Sequence, residues 1–80
     1  MDEFGDHRGM FKTTFVDASG GSWLAGPIYL PSIPERGEPV SIKEKAHHGK
    51  AAVGHVTRRE WNIISKDPGE SEVIISLALD

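Results

Sequence analysis

Histidine is the residue type in this chain with the clearest potential for chemistry, because its ring nitrogens ligate metals and exchange protons near neutral pH. Four histidines are present, and three of them fall within residues 47–55. A zinc site needs three or four ligands, so His47 or His48 would have to meet His55 and a carboxylate across a hairpin. No familiar ligand spacing accompanies them. The pattern favours solvated loop residues and one strand-face residue, and we predict neither a metal nor a cofactor.

Signatures of nucleophilic and nucleotide chemistry are missing from the sequence. The chain has no G-x-S-x-G and no cysteine, and its one Gly-Lys pair is followed by Ala51. A phosphate-binding loop requires Ser or Thr at that position. Asp17, Ser19 and His55 have the residue types of a catalytic triad, but their spacing is equally that of turn and strand residues. We therefore predict that the protein is not an enzyme.

A basic segment beside an aromatic residue is a hint of nucleic-acid binding. Residues 43–59 carry five lysines and arginines against one glutamate, although the whole chain has a net charge of −3. Single strands bind where bases stack on aromatic rings beside phosphate-binding cations. The acidic total argues against a strong electrostatic contribution, so nucleic-acid binding is the alternative function. Its candidate residues are Lys43, Lys45, Lys50, Arg58, Arg59 and Trp61.

The distribution of aromatic and arginine residues favours a protein interface as the main function. Trp, Tyr and Arg supply much of the binding energy in such interfaces. Neighbouring strand residues point to opposite faces, so only one of Arg58 and Arg59 can join a given surface. At least one of the two tryptophans is expected in the thin core. We predict a non-catalytic module that binds a protein partner or a second copy of itself. The candidate anchors are Trp23, Tyr29 and Trp61, with Arg36, Arg58 and Arg59 at the rim.

Length and composition favour one small cytoplasmic domain. A chain of 80 residues buries only about 60% of the surface that it exposes when unfolded. Cysteines are absent, whereas secreted domains of this size usually depend on disulfides. Residues 1–9 lack the features of a signal peptide, and no apolar run reaches the ~20 residues of a membrane span. We expect a flexible arm at 1–9, a single domain at 10–80 and no membrane segment.

Alternation of apolar residues predicts five strands, with at most one short helical turn within residues 44–50. Asp17–Gly21 and the Pro-Gly pair in 65–70 predict turns, and three prolines stiffen residues 31–39. Gly26-Pro27 predicts an interruption, and a change of apolar parity near Gly54 suggests a bulge. The predicted strands are 10–16, 22–30, 40–43, 51–64 and 72–79.

The last strand is apolar on both parities, which has three explanations. It lies centrally in the sheet, or Ile74 is one scattered exposed residue, or its second face meets a partner. Five short strands with tight turns favour a strongly bent antiparallel sheet, closed as an SH3-like or a reduced OB-like barrel.

The turn and strand pattern resembles a known group of sequences. Residues 34–40 read P-E-R-G-E-P-V, residues 56–61 read V-T-R-R-E-W, and residues 73–77 read V-I-I-S-L. This is similar to a loose group of short, uncharacterised bacterial and phage proteins with the pattern P-x-x-G-E-x-V, a strand ending V-x-x-x-x-W and an apolar strand. The likeness covers about residues 28–79. It implies a small β-barrel and brings no activity and no site residues.

Overall fold

A computed structural model of the chain describes residues 10–43, 51–63 and 71–80. It has the five predicted strands, each within two residues of its predicted bounds. The predicted arm at 1–9, the helical turn within 44–50 and the turn at 65–70 lie outside the described residues. The described residues contain no helix with the length and hydropathy that a membrane crossing requires. The strands are β1 (Phe11–Asp17), β2 (Trp23–Leu30), β3 (Pro39–Ile42), β4 (Ala52–Asn62) and β5 (Glu72–Leu79).

The strands form one curled sheet, a half-barrel with the order β2-β1-β5-β4-β3. The prediction of a purely antiparallel sheet is wrong, because β1 and β5 pair in parallel. The hairpin β1–β2 and the meander β3–β4–β5 are each antiparallel. They join side by side along β1 and β5, and no turn signal fixes the direction of two strands that are distant in sequence.

The inner face of the sheet holds the core, and its centre is β5. Val73, Ile75 and Leu77 alternate along this strand and are at most 1% exposed. Their neighbours Ile74 and Ala78 are half-buried on the outer face. β5 lies between β1 and β4, so its central position accounts for apolar residues on both parities. The buried core comprises Phe15, Leu24, Ala25, Ile42, Val56, Val73, Ile75 and Leu77, together with the polar Thr13.

Two bulges bend β2, and one of them is at the Gly26-Pro27 pair, where the sequence predicted an interruption. These two residues together oppose the single residue Thr14 of β1, and a second register shift falls at Leu24. Gly26 has a φ of +112°, and a Cβ on it would lie 2.7 Å from the carbonyl oxygen of Thr13. Only glycine meets both conditions. The interruption therefore bends the strand where the half-barrel curls.

The bulge of β4 is not at Gly54, where the change of parity suggested it. The register against β5 shifts at Thr57, an extra residue between Val56 and Arg58. Gly54 itself lies in a regular ladder, where a Cβ would press on the carbonyl oxygen of Ala78. Glycine is present there because the backbone of β5 approaches closely. The position of the bulge is set by the pairing with β5 and not by this glycine.

Candidate functional site

An exposed tryptophan stands at one end of the inner face. Trp61 pairs with Val73, a core residue, yet 54% of its surface is exposed. Its ring meets that of Phe11 edge to face, with ring centroids 5.8 Å apart and planes at 73°. This is a favourable geometry for two aromatic rings. Phe11 thus supports one side of Trp61 while the other side stays open to solvent.

The exposure of Trp61 follows from the shortness of β3. This strand pairs only with the first part of β4, from Ala52 to His55. Two backbone hydrogen bonds continue the contact to Val56, from Gly37 N to its carbonyl and from its N to the Glu38 carbonyl. In the part of the chain that the structure describes, no strand pairs with this edge of β4 beyond Val56. Residues 58–63 are all exposed.

Two more apolar residues and an arginine adjoin this aromatic pair in the chain. Met10 immediately precedes Phe11, and Ile63 follows Trp61 by two residues; they are 41% and 69% exposed. Arg59 pairs with the buried Ile75, so it stands on the inner face two residues before Trp61. Exposed apolar residues on one face are typical of a binding surface. We call the inner-face set the Trp61 rim: Phe11, Arg59, Trp61 and Ile63.

The bulge at Thr57 places Arg59 and Trp61 on the inner face. Its hydroxyl donates to the carbonyl of Ser76 at 3.2 Å, which fastens the extra residue to β5. Side chains alternate with a period of two, so one extra residue exchanges the faces of everything that follows. If Thr57 paired with Ser76 in a regular ladder, Arg58 and Glu60 would face the core, and Arg59 and Trp61 would face outward. The bulge therefore decides which of these side chains reach Phe11.

The two neighbouring arginines differ in their partners. Arg58 lies on the outer face and forms an ion pair with Glu60, at 3.4 Å between Nη2 and Oε1. Both side chains are exposed, so this pair contributes little to stability. Arg59 makes no ion pair with any other described residue. The prediction that the two arginines occupy opposite faces is confirmed by the register.

The prediction that at least one tryptophan is core is wrong. Trp23 pairs with Val16 on the outer face, is 41% exposed, and donates its Nε1–H to the Gly26 carbonyl at 3.1 Å. Aliphatic side chains from β5 and its neighbours fill the core, which leaves both rings at the surface. Tyr29 pairs with Lys12 on the outer face and is half-buried.

Arg36 lies at the corner of a tight turn between β2 and β3. Glu38 N donates to the Glu35 carbonyl at 3.0 Å, while the Glu38 carboxylate accepts a 2.6 Å bond from Glu35 N. Gly37 has a φ of +89°, as the third residue of a type II turn requires. The turn rests against Val56, and the Arg36 side chain is exposed.

The structure thus divides the predicted partner-binding residues among three places. Arg59 and Trp61 share the inner-face rim, Arg36 occupies the turn, and the other three lie on the outer face: Trp23, Tyr29 and Arg58. The rim also contains two residues that the sequence analysis did not select, Phe11 and Ile63. The signal for Ile63 is its alternation with Arg59 and Trp61, which indicates a shared face only once the pairing of β4 with β5 is known.

The residues of the nucleic-acid alternative are also separated. Lys43 follows Ile42, which pairs with Ala52 at the opposite end of β4 from Trp61. Along an extended strand, the nine residue steps from Ala52 to Trp61 span about 30 Å. Lys45 and Lys50 lie outside the described residues. Within the described ranges, the cation on the same face as Trp61 and near it is Arg59.

The triad residues do not form a catalytic arrangement. Asp17 pairs with Leu77 on the inner side, whereas His55 pairs with Ala78 on the outer face. The Asp17 carboxylate accepts bonds from Ser19 N and Ser19 Oγ, at 2.9 and 2.8 Å. These two bonds lower the pKa of Asp17 and close the turn between β1 and β2. The serine is therefore a turn residue.

Metal ligands do not gather in the described part of the chain either. No group of three or more His, Cys, Asp or Glu residues is arranged to hold an ion there. His47 and His48 lie outside it. His55 is an exposed residue of β4, as the strand-face interpretation predicted.

Comparisons with known proteins add no assignment to this geometry. No protein-family model matches the chain, and neither does any curated protein or solved structure.

Proposed function

We propose that this protein is a non-catalytic interaction module that binds a protein partner through the Trp61 rim. The observation that carries the proposal is the exposure of Trp61 on the inner face, against Phe11 and beyond the end of β3. A large aromatic side chain held by a second ring loses little conformational freedom when it is covered. Such rigid aromatic residues, together with arginine, are the usual anchors of protein interfaces.

The shape of the domain supports a binding role. The five strands form one curled sheet, a half-barrel, and this supports the proposal of a small SH3-like or OB-like barrel. Small barrels of both kinds serve as binding modules, because their edges and open faces accept extended chains. The lack of cysteines supports a cytoplasmic setting for the proposed complex. A second copy of the chain is the alternative protein partner.

Nucleic-acid binding is less well supported by the charges. The described ranges contain five lysines and arginines against six aspartates and glutamates. Arg58 is engaged by Glu60, and Lys43 stands at the far end of β4. A phosphate backbone needs several cations along one track. A single arginine beside one aromatic pair suits a protein side chain better.

Selection from a phage-displayed random peptide library tests the proposal. Peptides selected on the wild-type protein should bind Trp61→Ala at least about tenfold more weakly, since loss of an anchor costs about 2 kcal/mol or more. Trp23→Ala is the matched control, because it removes an exposed tryptophan from the outer face. Failure to select any peptide, or an equal loss with both variants, would contradict the proposal. Saturable quenching by single-stranded DNA would favour the alternative function.

A further inference from the structure

Beyond Val56, the outward edge of β4 has no strand partner among the described residues. The unpaired edge is Arg58–Asn62, about 17 Å of extended backbone. On its other side this same segment is fully paired with β5, from Ser76 back to Glu72. The segment is therefore held in strand conformation, while its second row of amide and carbonyl groups is unpaired within the described ranges.

We infer that the partner is an extended segment of another protein that adds as a strand along Arg58–Asn62. This inference rests on the proposed function and specifies how the partner binds. An added strand satisfies backbone groups that no described residue satisfies, and it extends the sheet at the place where β3 ends. Its side chains alternate between the two faces, as those of β4 do.

The register specifies which residues the added strand carries. Arg59 and Trp61 stand on the same face two residues apart, so the partner residues opposite them are also two residues apart. The one opposite Trp61 is apolar, because it covers Trp61 and lies toward Phe11. The one opposite Arg59 is acidic, because Arg59 has no ion pair within the described ranges. The predicted motif is an acidic and an apolar residue separated by one residue.

The charges on the outer face of β4 explain why the partner's acidic residue fixes the register of the added strand. Arg58 and Glu60 alternate with the two rim residues and neutralise each other, so they favour neither charge in the partner. A strand shifted by one residue would bring its acidic residue to this face and its apolar residue away from Trp61. Opposite charges directly across two strands are stabilising, and like charges are unfavourable.

Charge reversal tests the motif. Peptides selected on the wild-type protein should share Asp or Glu two positions from an apolar residue, and Arg59→Glu should bind them at least about tenfold more weakly and select Lys or Arg instead. Arg58→Glu is the matched control and should keep the wild-type preference. Peptides that depend on Trp61 but lack the acidic position would overturn the motif and leave the proposed function standing. If no peptide is selected, both fail.

N-methylation of a selected peptide tests the strand pairing. Each methyl group removes one amide donor, and only every second amide of an added strand faces β4. Affinity should fall at alternate positions, by about tenfold or more, and stay nearly unchanged at the positions between them. Uniform tolerance, or losses without a period of two, would overturn strand addition even where the acidic preference is observed.

Discussion

Gly37 shows how one residue fixes the connection between β2 and β3. Its φ of +89° lies in the left-handed region, while a Cβ on it would meet no atom within 4 Å. The cost of a substitution is therefore conformational. We expect Gly37→Ala to lower the free energy of unfolding by about 1 kcal/mol in urea denaturation. Gly20→Ala is the control, because this turn glycine has an ordinary φ; equal losses in the two variants would contradict the turn geometry.

Asp17 gives the β1–β2 turn a dependence on pH. Bonds from Ser19 stabilise its carboxylate and lower its pKa from the ordinary value of 3.8. A lowered pKa in the folded state means that this stabilisation is present above 3.8 and is lost as the pH falls through the lowered value. Urea midpoints should show the wild type more stable than Asp17→Asn at pH 7, with the difference shrinking on acidification. A difference that stays constant down to about pH 2.5 would contradict this role.

Residue types predicted turns better than they predicted burial. Glycine after Asp and Ser marked the first hairpin, and the P-E-R-G-E pattern marked the second turn, because few other residues allow a positive φ. Burial depends on which residues a strand meets. Trp23 and Trp61 have the largest apolar side chains in the chain, yet the core is formed by smaller side chains and both tryptophans are exposed.

Among the elements, β4 contains one residue, Thr57, that is extra relative to β5. Deletion of Thr57 removes the bulge but leaves the pairing of Arg59 and Trp61 with β5 unchanged, so both side chains stay on the inner face. We expect the deletion variant to keep cooperative unfolding, measured by circular dichroism on heating. Thr57→Ala keeps the extra residue and loses only the bond to Ser76, so it should cost about 1 kcal/mol or less. A deletion variant that unfolds without cooperativity would contradict the assignment of Thr57 as the extra residue.

The existence of β4 was predictable, whereas its faces were not. Its apolar residues change parity, and that change correctly indicated a bulge somewhere in the strand. The exact position is a property of two strands, since Thr57 is extra only relative to β5. The sequence placed the bulge near Gly54 because glycine often marks bulges. In the structure, this position needs glycine because a Cβ would collide with the carbonyl oxygen of Ala78. Arg59 and Trp61 face inward because of this same pairing of β4 with β5, which the sequence does not reveal.

At the scale of the whole molecule, sequence patterns predict the strands and their turns but do not predict the parallel pairing of β1 with β5. Strand number and the hairpin follow from local alternation and turn residues. The parallel pairing joins the two most distant strands, from Thr13–Val73 to Asp17–Leu77, and no local signal encodes it. The Trp61 rim depends on the pairing of β1 with β5, because this pairing brings Phe11 of β1 beside Trp61 of β4 across β5.

The most direct test of the binding surface uses the two tryptophan indoles. A ¹H–¹⁵N spectrum should contain one indole signal each for Trp23 and Trp61, and Trp23→Phe assigns them. On titration with a peptide selected on the wild-type protein, the Trp61 indole should shift as its ring is covered. The Trp23 indole, which donates to the Gly26 carbonyl on the outer face, should remain in place. A bound peptide that moves only the Trp23 signal, or neither signal, would contradict the assignment of the Trp61 rim as the binding surface.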